Sequence, residues 1–384
     1  MILHHVNMIN EGVKSIKIDN GKIVSIYQEN KNTYDTEQVH LYFENCLAFP
    51  GLINSHDHLD FNLFPQLGGS IYKNYMDWGN SLHKLNKAVI GSILNIPKEL
   101  RTQWGMYKNL INGITTVVQH GDGLVTNNAP INVFTQSHTL HSVGLEKRWK
   151  LKLNNLFSKN YPFAIHIGEG TDKYSFKEID RLLKWNVFKR KLIGIHGVAM
   201  NPKQASHFEA LVWCPDSNFF TLGQTAAIAQ LKTKTKILFG TDSTLSADWN
   251  IWEQLRKARQ TNLLTDDELI NAVSSLAAAT WKLNNTGILK EGYHADMIVT
   301  EKKKPGDTDA FFATSPEDIM LILDKGKIIY FDESLLLQLT HIQINNYSKI
   351  FIKGRCKYVI GELPALIKQI KKYAPNCTFP VEIE

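Results

Sequence analysis

Apolar and polar positions alternate along the first fifty residues in the manner of short strands. Ser15-Ile16-Lys17-Ile18-Asp19 and Lys22-Ile23-Val24-Ser25-Ile26 flank Asn20-Gly21. That pair favours a tight hairpin turn, because both residues tolerate positive φ. From residue 49 to 289 the texture changes to apolar runs alternating with amphipathic segments of helical period, which predicts βα units around a parallel sheet. Helices are expected over Ile251–Arg259 and Asp266–Trp281, the second opened by the acid-rich cap Thr265-Asp266-Asp267-Glu268. Strands return between Ile288 and Tyr330, with a turn at Asp324-Lys325-Gly326-Lys327. Ala365 to Tyr373 reads as an amphipathic helix started by Pro364.

Several apolar runs share one ending: a polar or metal-binding residue, then a glycine-bearing loop. They end at His120 (Ile114-Thr115-Thr116-Val117-Val118-Gln119-His120), His166 (Phe163-Ala164-Ile165-His166), His196 (Leu192-Ile193-Gly194-Ile195-His196) and Asp242 (Ile237-Leu238-Phe239-Gly240-Thr241-Asp242). Leu211-Val212-Trp213-Cys214-Pro215 is a further strand, ending in Asp216-Ser217-Asn218. Functional groups at the C-terminal ends of strands in β-α-β-α order are what an α/β fold of the (β/α)₈, TIM-like barrel type offers, since those ends surround one mouth. An open doubly wound sheet would be expected to carry a glycine-rich phosphate loop, and no such loop opens a helix in this chain. Ile131 to His138 reads as one strand, and Lys150 to Asn154 as another strand or part of a helix. The stretch from His120 to His166 is short for two complete βα units and a return strand, so the barrel is expected to be compressed around its third and fourth strands. The predicted layout is a small β-sandwich from 1–48 plus 290–334, a barrel over 49–289, and a C-terminal extension over 335–384 that covers a sheet edge or mediates oligomerisation.

Composition narrows the class. In 384 residues, 43% hydrophobic and 21% charged side chains are those of a globular protein in water. No apolar run approaches the roughly 18 residues of a membrane helix, and the N-terminus has no signal-peptide pattern. The four cysteines are scattered without a Cys-x-x-Cys pair, as expected in the reducing cytoplasm. The net charge of +6 is mild, with lysines spread along the chain. A small-molecule substrate, and neither nucleic acid nor membrane, is the expected partner.

The candidate chemistry lies at the strand ends. Alternate residues of a strand point the same way, so His56 and His58 can present both imidazoles to one point. With His166, His196 and Asp242 they form a set that suits one divalent ion, Zn²⁺ or Fe²⁺, with a position left for water. Such an ion lowers the pKa of water toward neutrality. Glu169, three residues after His166, could act as a proton shuttle or stand as an exposed loop acid. His120, His138 and Asn218 are candidates to face substrate. Phe61, Asn62, Phe64, Gln66, Tyr72, Tyr75 and Trp78 suit a flat, hydrogen-bonding molecule, or simply pack as a lid.

Taken together these motifs resemble the amidohydrolase superfamily, in particular its cytosine-deaminase and chlorohydrolase-like branch. The marks are Pro50-Gly51-Leu52-Ile53-Asn54-Ser55-His56-Asp57-His58, His166-Ile167-Gly168-Glu169, the strand ending in His196, Cys214-Pro215-Asp216-Ser217-Asn218 and Gly240-Thr241-Asp242. Asp19-Asn20-Gly21-Lys22-Ile23 and Gly287-Ile288-Leu289-Lys290-Glu291-Gly292 resemble the N-terminal and C-terminal segments from which that family builds its β-sandwich. The resemblance implies that His56, His58, His166 and Asp242 bind one divalent metal and that Glu169 carries protons. It implies that His196 holds the nucleophile or polarises substrate, and that Asp242 takes the first proton. Hydrolytic deamination of an N-heterocyclic or amidine-like compound is the implied reaction; cyclic-amide hydrolysis and dechlorination would use nearly the same residues. A binuclear site would need a carboxylated lysine, for which Lys150 and Lys152 lie in roughly the right region. A non-catalytic metal-binding barrel is a third reading. The zinc-deaminase signature fails, since His207-Phe208-Glu209 is followed by Cys214-Pro215-Asp216-Ser217 and not by Pro-Cys-x-x-Cys.

Overall fold

The computed structural model describes residues 1–28, 38–121, 129–340 and 342–384. Two parallel sheets occupy the middle of the chain. One has three strands, in the order Leu52–Asp57, Ile114–Gln119, Asn132–Phe134. The other has five, in the order Lys236–Phe239, Ala210–Trp213, Leu192–His196, Phe163–Ile167, His138–Ser142. Most of these strands are buried along their whole length. That is what uninterrupted Val/Ile/Leu runs produce when helices cover a parallel sheet. The sheets share a core in which Ile53 and Val118 of one meet Ala164, Ile193, Val212 and Leu238 of the other. They also meet at the site end, where Asp242 N–H donates to the His56 carbonyl at 3.1 Å.

Both chain ends join a third, eleven-stranded sheet among the described residues. Its centre is the antiparallel pair Cys46–Pro50 and Met297–Glu301, with Ala48 opposite Val299. The hairpin expected at Asn20-Gly21 is present between Gly12–Asp19 and Lys22–Tyr27, with both turn residues at positive φ. A Cβ on Gly21 would lie 2.9 Å from the Lys325 carbonyl oxygen, so this turn also needs glycine for close packing.

The last fifty residues, whose place is not legible from their pattern, are built into this sheet. Arg355–Ile360 pairs with Lys327–Asp332 and with Tyr347–Ile352. The helix Leu363–Tyr373 buries Leu363, Leu366, Ile367 and Ile370. Near its two ends, Tyr107 of the helix Lys98–Leu110 donates to the Ile360 carbonyl at 3.0 Å, and Trp104 meets Phe379 edge-on at 4.8 Å.

Two local expectations need correction, and the open choice at residues 150–154 falls to a helix. Residues 131–138 form no single strand: one strand stops at Phe134 and the next begins at His138, with no helix between them. The helix expected over Asp266–Trp281 breaks into Asp266–Ala272 and Ser275–Trp281, because the Val273 carbonyl accepts a hydrogen bond from Ile53 N–H. Trp149–Leu153 is a short helix. Residues 122–128 of the compressed region lie outside the described residues.

Candidate metal centre and active site

The site is assembled where the parallel strands end. His56 lies in the buried strand Leu52–Asp57 and His58 follows it directly. His166 comes from Phe163–Ile167, and His196 closes Leu192–His196. Asp242 lies three residues beyond Phe239. His196 and Asp242 have φ of 69° and 55°, a left-handed conformation that costs energy in any residue with a Cβ. Strain of this kind persists only where surrounding contacts hold it.

The donor atoms converge. His166 Nε2 is 3.2 Å from His58 Nε2 and 3.3 Å from His56 Nε2. Asp242 Oδ1 lies 3.6 Å from His56 Nε2 and 3.8 Å from His58 Nε2. Hydrogen bonds on the far side of each group fix which atom faces inward. His166 Nδ1 is 2.7 Å from the His141 carbonyl, so it carries the proton and Nε2 presents a lone pair. Asp242 Oδ2 accepts from Ser217 Oγ at 2.8 Å and Ser246 Oγ at 2.9 Å, which leaves Oδ1 toward the histidines. His196 Nδ1 donates to Asn218 Oδ1 at 2.8 Å, while the Asn218 amide nitrogen donates to Thr225.

Electrostatics support the same picture. Burial lowers the His56 pKa to about 4 and pushes His166 well below its ordinary value, with the neighbouring imidazoles adding to the effect on His166. For Asp242 burial works against the charge, but the His56 ring and its neighbours outweigh it and hold the carboxyl ionised. Neutral imidazole lone pairs around one carboxylate are a donor set for a borderline divalent cation, and these residues fit such a metal. Among the described residues, His56, His120 and His166 bring ligand atoms within 4.8 Å of one another, as do His56, His196 and Asp242.

Glu169 and His196 complete the inner surface. Glu169 Oε2 is 3.7 Å from His196 Nε2, which is 4.0 Å from Asp242 Oδ2. Burial raises the Glu169 pKa to about 7, with His196 opposing and Asp242 adding. Glu169 is therefore buried and able to exchange a proton near neutrality, not an exposed loop acid.

His120 lies among these rings, 4.4 Å from His166 between centroids, and its buried Nε2 has no hydrogen-bond partner. Asn218 is fully buried against His196. His138 is not brought here: it starts its strand, stacks on Phe163 and bonds the Lys159 carbonyl. Of the aromatic loop, Phe61 stacks on His58 at 5.6 Å. Trp78 donates to the Leu67 carbonyl and Tyr75 to Glu178, so these two pack the lid. Lys150 sits over the Trp185 ring and Lys152 pairs with Glu146, so neither lysine bridges the histidines.

Several supporting residues were given no supporting role by the sequence, although Asn54 and Asp57 lie within one of its motifs. Asp57, between the two histidines, is fully buried and pairs with Lys108 Nζ at 2.8 Å. It also accepts from Asn109 at 2.7 Å, Asn62 at 2.8 Å and Asn54 at 3.2 Å. Asn54 in turn donates to Thr241 Oγ1 at 2.7 Å and accepts from Thr241 N–H at 3.0 Å. One buried polar network thus ties the strand bearing His56 and His58 to the loop bearing Asp242. Ser217, marked only as part of a motif, and Ser246 were likewise given no role, since serines are common in loops and helix starts.

A parallel α/β fold with a buried histidine–carboxylate group at its strand ends is an arrangement that suits a metal-dependent hydrolase. The amidohydrolase family model matches residues 156–329. Among curated proteins, a 5-methylthioadenosine/S-adenosylhomocysteine deaminase of Caldicellulosiruptor saccharolyticus is 24% identical, over 85% of this chain and 91% of its own length. A 5'-deoxyadenosine deaminase of Methanococcus aeolicus is also 24% identical, over 79% and 86%. The fold is similar to that of an adenosine deaminase from Xanthomonas campestris with bound zinc, with a TM-score of 0.69 and 13% identity over 98% of both chains. It is also similar to atrazine chlorohydrolase from Arthrobacter aurescens complexed with zinc, with a TM-score of 0.64 and 14% identity over 97% and 99%. Over residues 156–329 the chain is similar to the amidohydrolase family.

Proposed function

We propose that this protein is a hydrolytic deaminase that removes the exocyclic amino group of an N-heterocycle, with an adenine nucleoside as its substrate class. The observation that carries the reading is Glu169. It is a buried carboxyl titrating at about 7, placed 3.7 Å from His196 at the rim of the histidine cluster. A group that must give a proton to a departing nitrogen and recover it from water works best with a pKa near the ambient pH.

His56, His58, His166 and Asp242 would hold one divalent metal, zinc being favoured by three imidazoles with one carboxylate and iron(II) the alternative. A metal held there supplies a nucleophilic water at neutral pH. Asp242, kept ionised by its histidines, takes the proton that the water loses. His196 has its Nδ1 proton committed to Asn218, so its Nε2 accepts a hydrogen bond from the incoming water and orients it. Glu169 protonates the leaving nitrogen. The C–O bond forms, the C–N bond breaks, and ammonia leaves with the proton from Glu169. Phe61, stacked on His58, and the unpartnered Nε2 of His120 offer a flat surface and one polar contact to a heterocycle. The barrel reading rests on the Asp242–His56 backbone contact, which joins the outer strands of the two parallel sheets. The eleven-stranded sheet would then supply the β-sandwich, with the barrel over 49–289. The absence of a lysine at the cluster favours a mononuclear over a binuclear centre among the described residues.

The test is release of ammonia from 5'-methylthioadenosine, 5'-deoxyadenosine and adenosine by zinc-loaded protein, with guanine and a chlorinated triazine alongside. Ammonia from the adenine nucleosides, in step with conversion to the hypoxanthine product, is expected. Chloride release from the triazine alone would replace deamination by dechlorination. No turnover of any of them by metal-loaded, folded protein would overturn the substrate class.

A further inference from the structure

The sequence distributes its lysines along the chain, but folding gathers an unusual set of them. Segments 147–159 and 184–191 contain nine lysines and arginines and no aspartate or glutamate. The whole chain has 43 cations against 37 acids, so without these nine the remainder would carry a net charge of −3. The entire positive surplus of the protein therefore lies in two short stretches.

These stretches are neighbours in space. Asn154 donates to the Trp185 carbonyl at 2.8 Å and Arg190 to the Asn155 carbonyl at 2.7 Å. Lys150 Nζ sits 3.9 Å from the Trp185 ring centre, a cation–π contact. Between the cations stand six large apolar side chains that the core does not cover: Leu151, Leu156, Phe157, Trp185, Val187 and Phe188. Phe157 is 95% exposed, Leu151 73% and Leu156 70%, so they stand off the surface. Lys152 and Lys191 have nearby carboxylates in Glu146 and Glu209, which trims the field without reversing it.

The position is also informative. Both segments lead into the N-terminal ends of the strands Phe163–Ile167 and Leu192–His196, whose C-terminal ends carry His166 and His196. The patch is therefore on the face opposite the metal cluster, about 15 Å of strand away.

We propose that this patch docks the protein on an anionic lipid bilayer, with the active-site mouth turned to the solution. Lysines at such a surface each contribute about 1 kcal/mol, and protruding Leu, Phe and Trp side chains enter the headgroup region. Charge and apolar insertion together give the two signals that stable peripheral binding requires. A second copy of the chain is disfavoured, since nine cations would face nine. Nucleic acid would use the charges and aromatic rings but gains nothing from Leu151, Leu156 and Val187, which cannot stack on bases.

The experiment is co-sedimentation of the full, metal-loaded chain with vesicles of phosphatidylcholine alone and with about 30% phosphatidylserine. Binding is expected to the anionic vesicles only, and to fall sharply at about 0.5 M salt. The doubly exposed variant Leu156→Ser/Phe157→Ser, and separately Lys147→Glu/Lys189→Glu, should each weaken it at least about tenfold with turnover unchanged. No binding to anionic vesicles at low salt would overturn the proposal, as would binding that both variants retain. Vesicles left unbound while a duplex DNA or single-stranded RNA probe is captured would reassign the patch to nucleic acid. A dimer abolished by Leu156→Ser/Phe157→Ser, without vesicle binding, would assign it to a second copy.

Discussion

Lys108→Met isolates the buried network beneath the histidine cluster. In the native chain the Lys108 ammonium lies 2.8 Å from the Asp57 carboxylate, and both groups are almost completely buried. Removing one partner of a buried ion pair leaves a charge without compensation and costs about 3–5 kcal/mol. Asp57 keeps amide donors from Asn109, Asn62 and Asn54, which hold part of its charge. The expected loss is therefore at the lower end, about 3 kcal/mol. Asp57→Asn together with Lys108→Met removes both charges and should cost clearly less than the two single changes added, with a coupling of about 2 kcal/mol. Urea unfolding of the four proteins, compared at constant m, measures these differences. The same network links Asn54 to Thr241, beside Asp242, so Lys108→Met should also weaken metal binding by about 10–100-fold. A single variant destabilised by less than about 1 kcal/mol, or a double variant whose cost is the plain sum, would refute the reasoning.

Further changes separate the roles in the site. His166→Ala should abolish metal binding and turnover together in a folded chain; wild-type metal content would remove His166 from the ligand set. Glu169→Gln should keep the metal and lose turnover by about 10²–10⁴-fold, and a kcat close to wild type would end its role as proton shuttle. Glu178 accepts from Gly168 N–H and Tyr75 OH in a buried position, and burial raises its pKa to about 7. A carboxyl whose folded pKa lies above its unfolded value contributes stability below about pH 4.5, and that contribution is lost as the pH rises through about 7. Glu178→Gln should therefore be neutral near pH 4.5 and stabilise at pH 8 by on the order of 3 kcal/mol, read from unfolding curves at both pH values; parallel pH profiles would contradict it.

How far the sequence could be read depended on whether each feature is local. His56 and His58 on alternate strand positions, and His166, His196 and Asp242 at the ends of apolar runs, announce themselves by period and spacing. The hairpin at Asn20-Gly21 does so by turn chemistry. By contrast, Asp57 pairs with Lys108 fifty-one residues away, and Ser217 reaches Asp242 across twenty-five. Neither separation leaves a pattern. The break at Val273-Ser274 was hidden for the same reason, since good helix formers surround it and the competing bond comes from Ile53. The hairpin after Tyr347 alternates too weakly to be seen alone and becomes a strand pair on the edge offered by Lys327–Asp332. The basic apolar patch was invisible because its two halves are separated in sequence and each looks like an ordinary solvated run.

Metal content per chain tests the central claim most directly. Elemental analysis of purified protein should find about one zinc or iron per chain, removable by a chelator and restored with turnover by adding the metal back. About two per chain would contradict the mononuclear centre, and none after reconstitution of folded protein would contradict the metal-dependent reaction itself.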